Sequence, residues 1–360
     1  MNSRNEPLLF QEYNKLKSIP WLSLAPLNTP LEELKELEKV LDFDNIWIKR
    51  DDLSSPIYGG NKVRKLEFLL ADALKRKAKE VMTTGGIGSN HCVANAAFCQ
   101  ELGIKPISAI IDQPINKYVK RNLLLELYFN AELIYGKDRE GIKPKIYWYR
   151  YKHPNTYYIP QGGSNALGTI GFIDASFELK YQVESGEISE PDHIFVANGS
   201  MGTTAGLSVG VKLAELKTKI HGIQVTPPYF SSKENTLNMA KRSLRFLRKY
   251  QKDLPRISYE HLNLIGDFFG ESYGKPTKEG LEAIEILEKT EGLHLDPTYT
   301  GKAFAALLDF IKNERNHIQG DTILFWNTYN SRDFSQIIEN IDYKNLPKEL
   351  HWVFEKDNTN

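Results

Sequence analysis

The sequence contains very little cysteine, and its two cysteines cannot pair with each other. Cys92 and Cys99 lie in one segment of helical character, where their Cα atoms would be roughly 10 Å apart at ~1.5 Å per residue. A disulfide requires a much shorter separation of the two Cα atoms. No Cys/His spacing typical of zinc sites is present either. The sequence therefore excludes a disulfide scaffold, and we assign no metal ligands.

The chain also lacks an excess of charge of either sign. Lysine plus arginine and aspartate plus glutamate both number 46, so the formal net charge is zero. Proteins that bind nucleic acid or anionic membranes through electrostatics carry a basic surplus, so we expect neither as a partner. Small neutral or zwitterionic ligands are more compatible with this charge balance.

Long hydrophobic runs are absent as well. No run of 18 apolar residues occurs, and the first residues do not combine a basic stretch with an apolar one, so we expect a cytoplasmic protein. A length of 360 residues with 41% hydrophobic residues is enough for two domains or one large one, each with its own core.

Alternation of apolar strand-like segments with amphipathic helices is the main pattern in the chain. It predicts an α/β fold with two open, twisted parallel-sheet domains. We expect the small domain at 59–165 and the large one at 1–58 and 166–360, with a surface arm and no regular structure before Leu31. The predicted strands are 46–50, 81–84, 106–111, 131–135, 157–160, 193–197, 220–225 and 322–326, and helices are predicted at 31–41, 63–74, 89–102 and 118–129.

Gly59-Gly60-Asn61-Lys62 is the first candidate functional segment. The glycines give the backbone conformational freedom, Asn61 can cap the following helix, and Lys62 falls on its first turn. The positive end of a helix disfavours a protonated amine, which would make Lys62 a better nucleophile toward carbonyls. The alternative is a solvated surface lysine, and this segment alone does not decide between them.

A second candidate is the glycine- and hydroxyl-rich turn that follows the predicted strand 193–197. It contains Gly199, Ser200, Gly202, Thr203 and Thr204. Such a turn at a helix start presents N–H groups and hydroxyls to an anion, usually a phosphate. The spacing fits neither the dinucleotide-binding nor the Walker pattern. The alternative is a tight turn without a ligand.

Three further segments carry candidate polar groups. The helix start at Ser89, Asn90 and His91 follows a glycine-rich turn and suits a substrate carboxylate, although Ser89 could simply cap the helix. Tyr273 and Tyr299 lie in loops that precede helices, where packing is the common role of tyrosine. Thr328 follows a strand at the carboxyl edge of a sheet, where open α/β sheets bind ligands.

Taken together, these segments resemble the fold type II pyridoxal-phosphate enzymes related to the tryptophan synthase β subunit. More narrowly, they resemble the family of D-cysteine desulfhydrases and 1-aminocyclopropane-1-carboxylate (ACC) deaminases. The similarity runs from about Pro26 to Phe334. The motifs that carry it, in order, are KRDDLSSPIYGGNKVRKLEFLLADA, GGIGSNH, GSMGTTAG, SYGKPTKEG, LDPTYTGKA and a strand followed by NT.

The resemblance implies pyridoxal 5'-phosphate as the cofactor, held in the cleft between the two domains, and a homodimer. It implies that Lys62 carries the cofactor covalently, and that Asn90 approaches its phenolic oxygen. Ser89 and His91 would lie near the substrate carboxylate, and Tyr273 and Tyr299 would face the substrate. The implied phosphate ligands are Gly199, Ser200, Gly202, Thr203 and Thr204, and Thr328 would meet the pyridine nitrogen. A neutral hydroxyl there makes the ring a moderate electron sink.

The reaction that the resemblance implies is α,β-elimination on a small D-amino acid, with D-cysteine yielding pyruvate, ammonia and sulfide. Thr300 favours this over ACC deamination, because the deaminases tend to carry glutamate after the loop tyrosine. A β-replacement synthase and a catalytically silent cofactor-binding protein are further alternatives. The chain departs from its relatives at Cys92-Val93, at Met201 and at Tyr329-Asn330, and we expect the first and last pairs to reshape the pocket wall.

Overall fold

The computed structural model describes residues 5–26 and 28–355 as a mixed α/β fold. The strands in these residues are β1 (Leu31–Glu33), β2 (Ile46–Lys49), β3 (Glu80–Gly86), β4 (Lys105–Ile111), β5 (Glu132–Tyr135), β6 (Tyr157–Tyr158), β7 (His193–Asn198), β8 (Lys219–Gln224), β9 (Leu262–Ile265) and β10 (Ile323–Trp326). The α-helices are α1 (Leu8–Glu12), α2 (Lys35–Leu41), α3 (Lys62–Lys75), α4 (Asn90–Glu101), α5 (Lys117–Tyr128), α6 (Arg139–Lys152), α7 (Ile170–Glu184), α8 (Gly202–Leu213), α9 (Lys233–Leu247), α10 (Lys278–Glu291), α11 (Thr300–Glu314), α12 (Ser335–Ile338) and α13 (Trp352–Glu355).

The strands form two sheets. The larger sheet has the order β1-β2-β10-β7-β8-β9, and its strands pair in parallel except for β1, which runs antiparallel to β2. The smaller sheet has the order β5-β4-β3-β6 and is parallel throughout. The predicted α/β class with parallel sheets is confirmed. Among the described residues, no helix combines the length and the apolar character that crossing a bilayer requires.

Contacts divide the chain into two compact units. The first unit comprises Met1–Phe68 and Ser164–Ser331, and the second comprises Leu69–Gly163 and Arg332–Asn360. These boundaries differ from the domain limits expected from the sequence at two places. Residues 59–68, including Lys62, belong to the larger unit. Residues 332–355 belong to the smaller one, because Leu346, Leu350 and Val353 join its core beside Ile87.

Two segments near the start of the chain differ from the sequence prediction. Leu9 and Phe10 of α1 are buried, and the Leu9 N–H donates to Asp174 in α7 at 2.9 Å, so the segment before Leu31 has regular structure and packs into the core. The helix predicted from Leu31 begins only at Lys35. The first residues of the predicted helix, Leu31–Glu33, instead form β1, because their backbone pairs with β2.

A buried ion network lies in the core of the first unit. The Arg64 guanidinium donates to both carboxylate oxygens of Asp51, at 2.9 and 2.7 Å, and to Glu178 at 2.8 Å. The Lys49 ammonium lies 2.7 Å from Glu178, and the Trp326 indole donates to Asp51 at 2.8 Å. All of these charged side chains are at most 1% exposed. The two cations and two carboxylates therefore balance one another's charge in a region that water does not reach.

We predict that Arg64→Met lowers the free energy of unfolding by about 3–5 kcal/mol, because two carboxylates would lose their main cation inside the protein. The matched control is Arg76→Met, which removes an exposed ion pair to Asp72 just after the same helix and should cost about 1 kcal/mol or less. Urea unfolding of the two variants measures the difference. Equal losses would contradict a special role for the buried network.

Candidate active site

The turn before α3 holds Lys62 in a fixed place. Gly60 has a φ of +91°, and a Cβ there would lie 2.7 Å from the Tyr329 carbonyl oxygen, so only glycine fits both the conformation and the space. The Gly60 N–H donates to the Asp51 carbonyl at 2.8 Å. The turn is thus attached to the residue that pairs with Arg64 in the buried network.

Asn61 connects the lysine to two other predicted site segments. Its Oδ1 accepts from the Lys62 Nζ at 2.7 Å, and its Nδ2 donates to the Thr203 Oγ1 at 2.9 Å. Its backbone N–H donates to the Thr328 carbonyl at 3.3 Å. The helix-capping role expected for this side chain is therefore replaced by bonds that bring Lys62, Thr203 and Thr328 together.

The Lys62 amine has an altered acidity. Burial lowers its pKa from 10.5 to about 8, and the negative charge of Asp296 opposes part of this shift. Asp296 itself accepts the N–H groups of Thr298 and Tyr299, at 2.9 and 2.7 Å. Desolvation of the amine is the main cause of the lowered pKa, whereas we expected the positive end of the helix to be. With this value roughly a tenth of the Lys62 amine is neutral at pH 7, far more than for an ordinary lysine.

The glycine-rich turn between β7 and α8 presents hydroxyls and N–H groups beside a second lysine. The Ser164 Oγ lies 2.8 Å from the Ser200 Oγ and accepts from the Lys65 Nζ at 3.1 Å and from the Gly202 N–H at 3.3 Å. A Cβ on Gly202 would lie 2.8 Å from the Lys65 Nζ. Lys65 is 1% exposed, and burial together with the charge of Lys62 holds its pKa well below 10.5.

Met201 and Thr204 differ from the other residues of this turn, Met201 in its backbone conformation and Thr204 in its fully buried side chain. Met201 caps α8 with a φ of 68°, a left-handed conformation that costs a non-glycine residue free energy. Thr204 is fully buried, and a Cβ on Gly222 of β8 would lie 2.7 Å from its Cγ2. The Thr204 methyl group thus packs against the sheet, while its buried hydroxyl makes no hydrogen bond within the described residues and is available to an anion.

The two predicted loop tyrosines meet each other. Their hydroxyl groups, on Tyr273 and Tyr299, are in hydrogen-bond contact. The Tyr299 ring lies beside the glycine turn, since a Cβ on Gly199 would be 3.6 Å from its Cε1. The next residue, Thr300, is fully buried, and its hydroxyl donates to Asp296 at 2.7 Å. Thr300 therefore helps to fix the loop that carries Tyr299.

The second unit contains the residues predicted to bind the substrate carboxylate, at the start of α4. Ser89 caps the helix by accepting the Cys92 N–H at 3.3 Å, and the Asn90 Oδ1 accepts from Asn122 at 2.8 Å. His91 is 2% exposed. Cys92 is a free thiol in the core of this unit, and burial raises its pKa far above its ordinary value. Cys92, where the chain departs from its relatives, is thus part of the core, whereas we expected it in the pocket wall.

Comparison with known proteins identifies the family of this chain. Residues 22–328 match the family model described as "Pyridoxal-phosphate dependent enzyme". The chain belongs to this family. It is a pyridoxal-phosphate-dependent enzyme, and the resemblance inferred from its motifs is confirmed.

Two curated relatives and one solved structure illustrate the similarity. The chain is 34% identical to a Thermotoga maritima protein provisionally named a 1-aminocyclopropane-1-carboxylate deaminase, over 82% of this chain and 93% of the relative. It is 34% identical to D-cysteine desulfhydrase of Serratia proteamaculans, over 87% and 94% respectively. A solved ACC deaminase homologue is 30% identical, with a TM-score of 0.75 over 93% of this chain and 99% of that one.

The residues present fit the cofactor that the family uses. An aldehyde needs an amine that loses its proton readily, which the buried Lys62 supplies. A phosphate needs hydrogen-bond donors, which the Lys65 amine, the hydroxyls of Ser164 and Ser200, and the N–H groups at the start of α8 supply. These residues would hold pyridoxal phosphate, with Thr328 remaining the predicted partner of the pyridine nitrogen.

Sequence reasoning missed four contributors: Lys65, Ser164, Asp296 and the connecting role of Asn61. Lys65 follows Lys62 by three residues on α3 and so shares its helix face, which was an available signal. Ser164 lies far along the chain from both Lys65 and Gly202, and only the folded chain reveals these contacts.

We predict that acetic anhydride labels Lys62 of the cofactor-free protein with a midpoint near pH 8, because only the neutral amine reacts. The lysine of a short unstructured peptide labelled in the same solution should react with a midpoint of ~10.4. Mass spectrometry of the labelled peptides across a pH series gives both curves. A Lys62 midpoint equal to that of the peptide lysine would contradict the buried environment of the amine.

Proposed function

We propose that this enzyme catalyses α,β-elimination on a small D-amino acid, with D-cysteine as the principal substrate. Water and D-cysteine would give pyruvate, ammonia and hydrogen sulfide. The observation that carries the proposal is the buried Lys62 amine, with a pKa of about 8, held 2.7 Å from Asn61 beside the glycine-rich turn. Similarity to a D-cysteine desulfhydrase along most of the chain supports the choice of substrate.

Pyridoxal phosphate, when bound, withdraws electrons from the substrate and makes its Cα–H bond acidic. The Lys62 amine then has the properties of the base that removes this proton, since its pKa lies close to neutrality. Asn61 orients the amine, and the bond from Asn61 to Thr203 fixes Asn61 in turn. Proton removal at a defined position is thus the task of Lys62 and its amide neighbour.

The departing sulfur requires a proton, and the tyrosine pair suits this step. Because the hydroxyls of Tyr273 and Tyr299 are in contact, one can donate to the leaving group while the other stabilises the donor. Thr300 and Asp296 hold the Tyr299 loop from behind. The helix start at Ser89 remains the predicted ligand of the substrate carboxylate.

ACC deamination is the second candidate, and similarity to a protein provisionally named for that activity and to a solved ACC deaminase homologue favours it. The residue by which the two activities differ in the family resemblance is Thr300. Its hydroxyl donates to the buried Asp296 carboxylate, so glutamate there would bring a second negative charge against the first. The loop of this enzyme is therefore built around a neutral residue at this position, which supports elimination over ring opening.

We predict that the purified enzyme releases pyruvate and sulfide in equal amounts from D-cysteine, and that Lys62→Ala lowers the rate by about a thousandfold or more through loss of the base. Lys278→Ala, which changes an exposed lysine of α10, should match the wild type. Coupled pyruvate and sulfide assays, with 2-oxobutanoate release from ACC in parallel, measure the rates. Exclusive reaction with ACC would show that the second candidate is correct.

We further predict that Tyr299→Phe lowers kcat with D-cysteine by about a hundredfold while KM changes little, because the missing hydroxyl acts on the leaving group. Tyr229→Phe is the matched control, since that ring is 73% exposed. Steady-state kinetics of both variants provide the test. Unchanged turnover in Tyr299→Phe would remove this residue from the catalytic set.

A further inference from the structure

The segment that follows β10 runs directly along the turn that carries Lys62. The Asn61 N–H donates to the Thr328 carbonyl at 3.3 Å. A Cβ on Gly60 would lie 2.9 Å from the Thr328 carbonyl oxygen and 2.7 Å from that of Tyr329. The backbone of residues 328–329 therefore forms the surface on which the second half of the turn rests.

A side chain completes this contact at the first half of the turn. The Asn330 Oδ1 accepts the Gly59 N–H at 2.8 Å, and Asn330 is 3% exposed. A Cβ on Gly59 would lie 3.2 Å from the same Oδ1 and 2.1 Å from the Asp52 carbonyl oxygen. The amide thus lies against bare backbone, where it is a hydrogen-bond acceptor for the glycine.

The neighbouring residue strengthens the same connection. The Ser331 hydroxyl donates to the Asp52 carboxylate at 2.6 Å, and Asp52 also pairs with the Arg50 guanidinium at 2.9 Å. Residues 328–331 therefore hold both the turn and the loop that leads into it. Asn330 lies in the middle of this segment.

We propose that Asn330 is a positioning residue for Lys62, acting through the Gly59 N–H; the inference rests on the proposed catalytic role of Lys62. Two consecutive glycines have the largest conformational freedom of any dipeptide. The bond from Gly59 to Asn330 removes that freedom three residues before the lysine. The distance of the Lys62 amine from Asn61 is then set by the strand extension as well as by α3.

Removing the Asn330 side-chain oxygen should loosen the turn that carries Lys62. In Asn330→Ala the Gly59 N–H has no side-chain oxygen to bond, and the turn can open without unfolding the sheet. Amide hydrogen exchange of residues 59–61 in the full chain should then rise roughly tenfold, the effect of one typical hydrogen bond. The labelling midpoint of Lys62 in the cofactor-free protein should move up by about one pH unit, because an open turn admits water to the amine.

Two further variants make the test discriminating. Asn330→Asp keeps an oxygen at the same position, so exchange at residues 59–61 should stay close to that of the wild type. Asp138→Ala removes an acceptor from another glycine N–H, that of Gly141, which is also bonded at 2.8 Å. It should speed exchange at the start of α6 and leave residues 59–61 unchanged. Thermal unfolding of all variants checks that each is folded.

The outcomes separate this inference from the proposed function. Faster exchange at residues 59–61 in Asn330→Ala, retained protection in Asn330→Asp and a raised Lys62 midpoint support the positioning role, even if D-cysteine gives no pyruvate. Unchanged exchange in a folded Asn330→Ala variant overturns it. Equal exchange in the Ala and Asp variants overturns it as well, because the side-chain oxygen would then not be what holds the turn.

Discussion

The ion network around Arg64 is the constraint on which the catalytic half of the first unit depends. It joins the end of β2, the first half of α3, α7 and the end of β10 through charges that must compensate one another. Asp51 belongs to this network through its carboxylate and to the lysine turn through its carbonyl. The position of Lys62 is therefore fixed by the same interactions that keep the core electrically neutral.

The sequence predicted most of the fold, because its strands and helices differ in apolar period and are separated by glycine. It failed where pairing between distant segments decides the outcome. Leu31 fits a helical pattern, yet its backbone lies opposite Lys49 in the sheet. Similarly, Leu346 and its neighbours follow the last strand of the larger sheet but complete the core of the other unit. Local periodicity contains no information about such partners.

In the candidate site, too, motifs predicted individual residues but not the contacts between distant segments. Lys62, the glycine turn and Thr328 could be named from motifs, and the structure places them around a single amide, that of Asn61. The connecting role of Asn61 could not be predicted, since its position before a helix suggested a cap. The buried Lys65 was equally hidden, because burial of a lysine depends on residues such as Ser164 that approach from elsewhere in the chain.

Contact between the turn at Gly60 and the carbonyl groups of residues 328 and 329 also limits how this enzyme can diverge. The two segments are far apart in the gene, yet a side chain added to one collides with the backbone of the other. The glycine at position 60 is therefore required by backbone that lies near the far end of the chain. A chimaera that keeps this strand extension has to keep glycine at position 60, whichever homologue supplies the lysine turn.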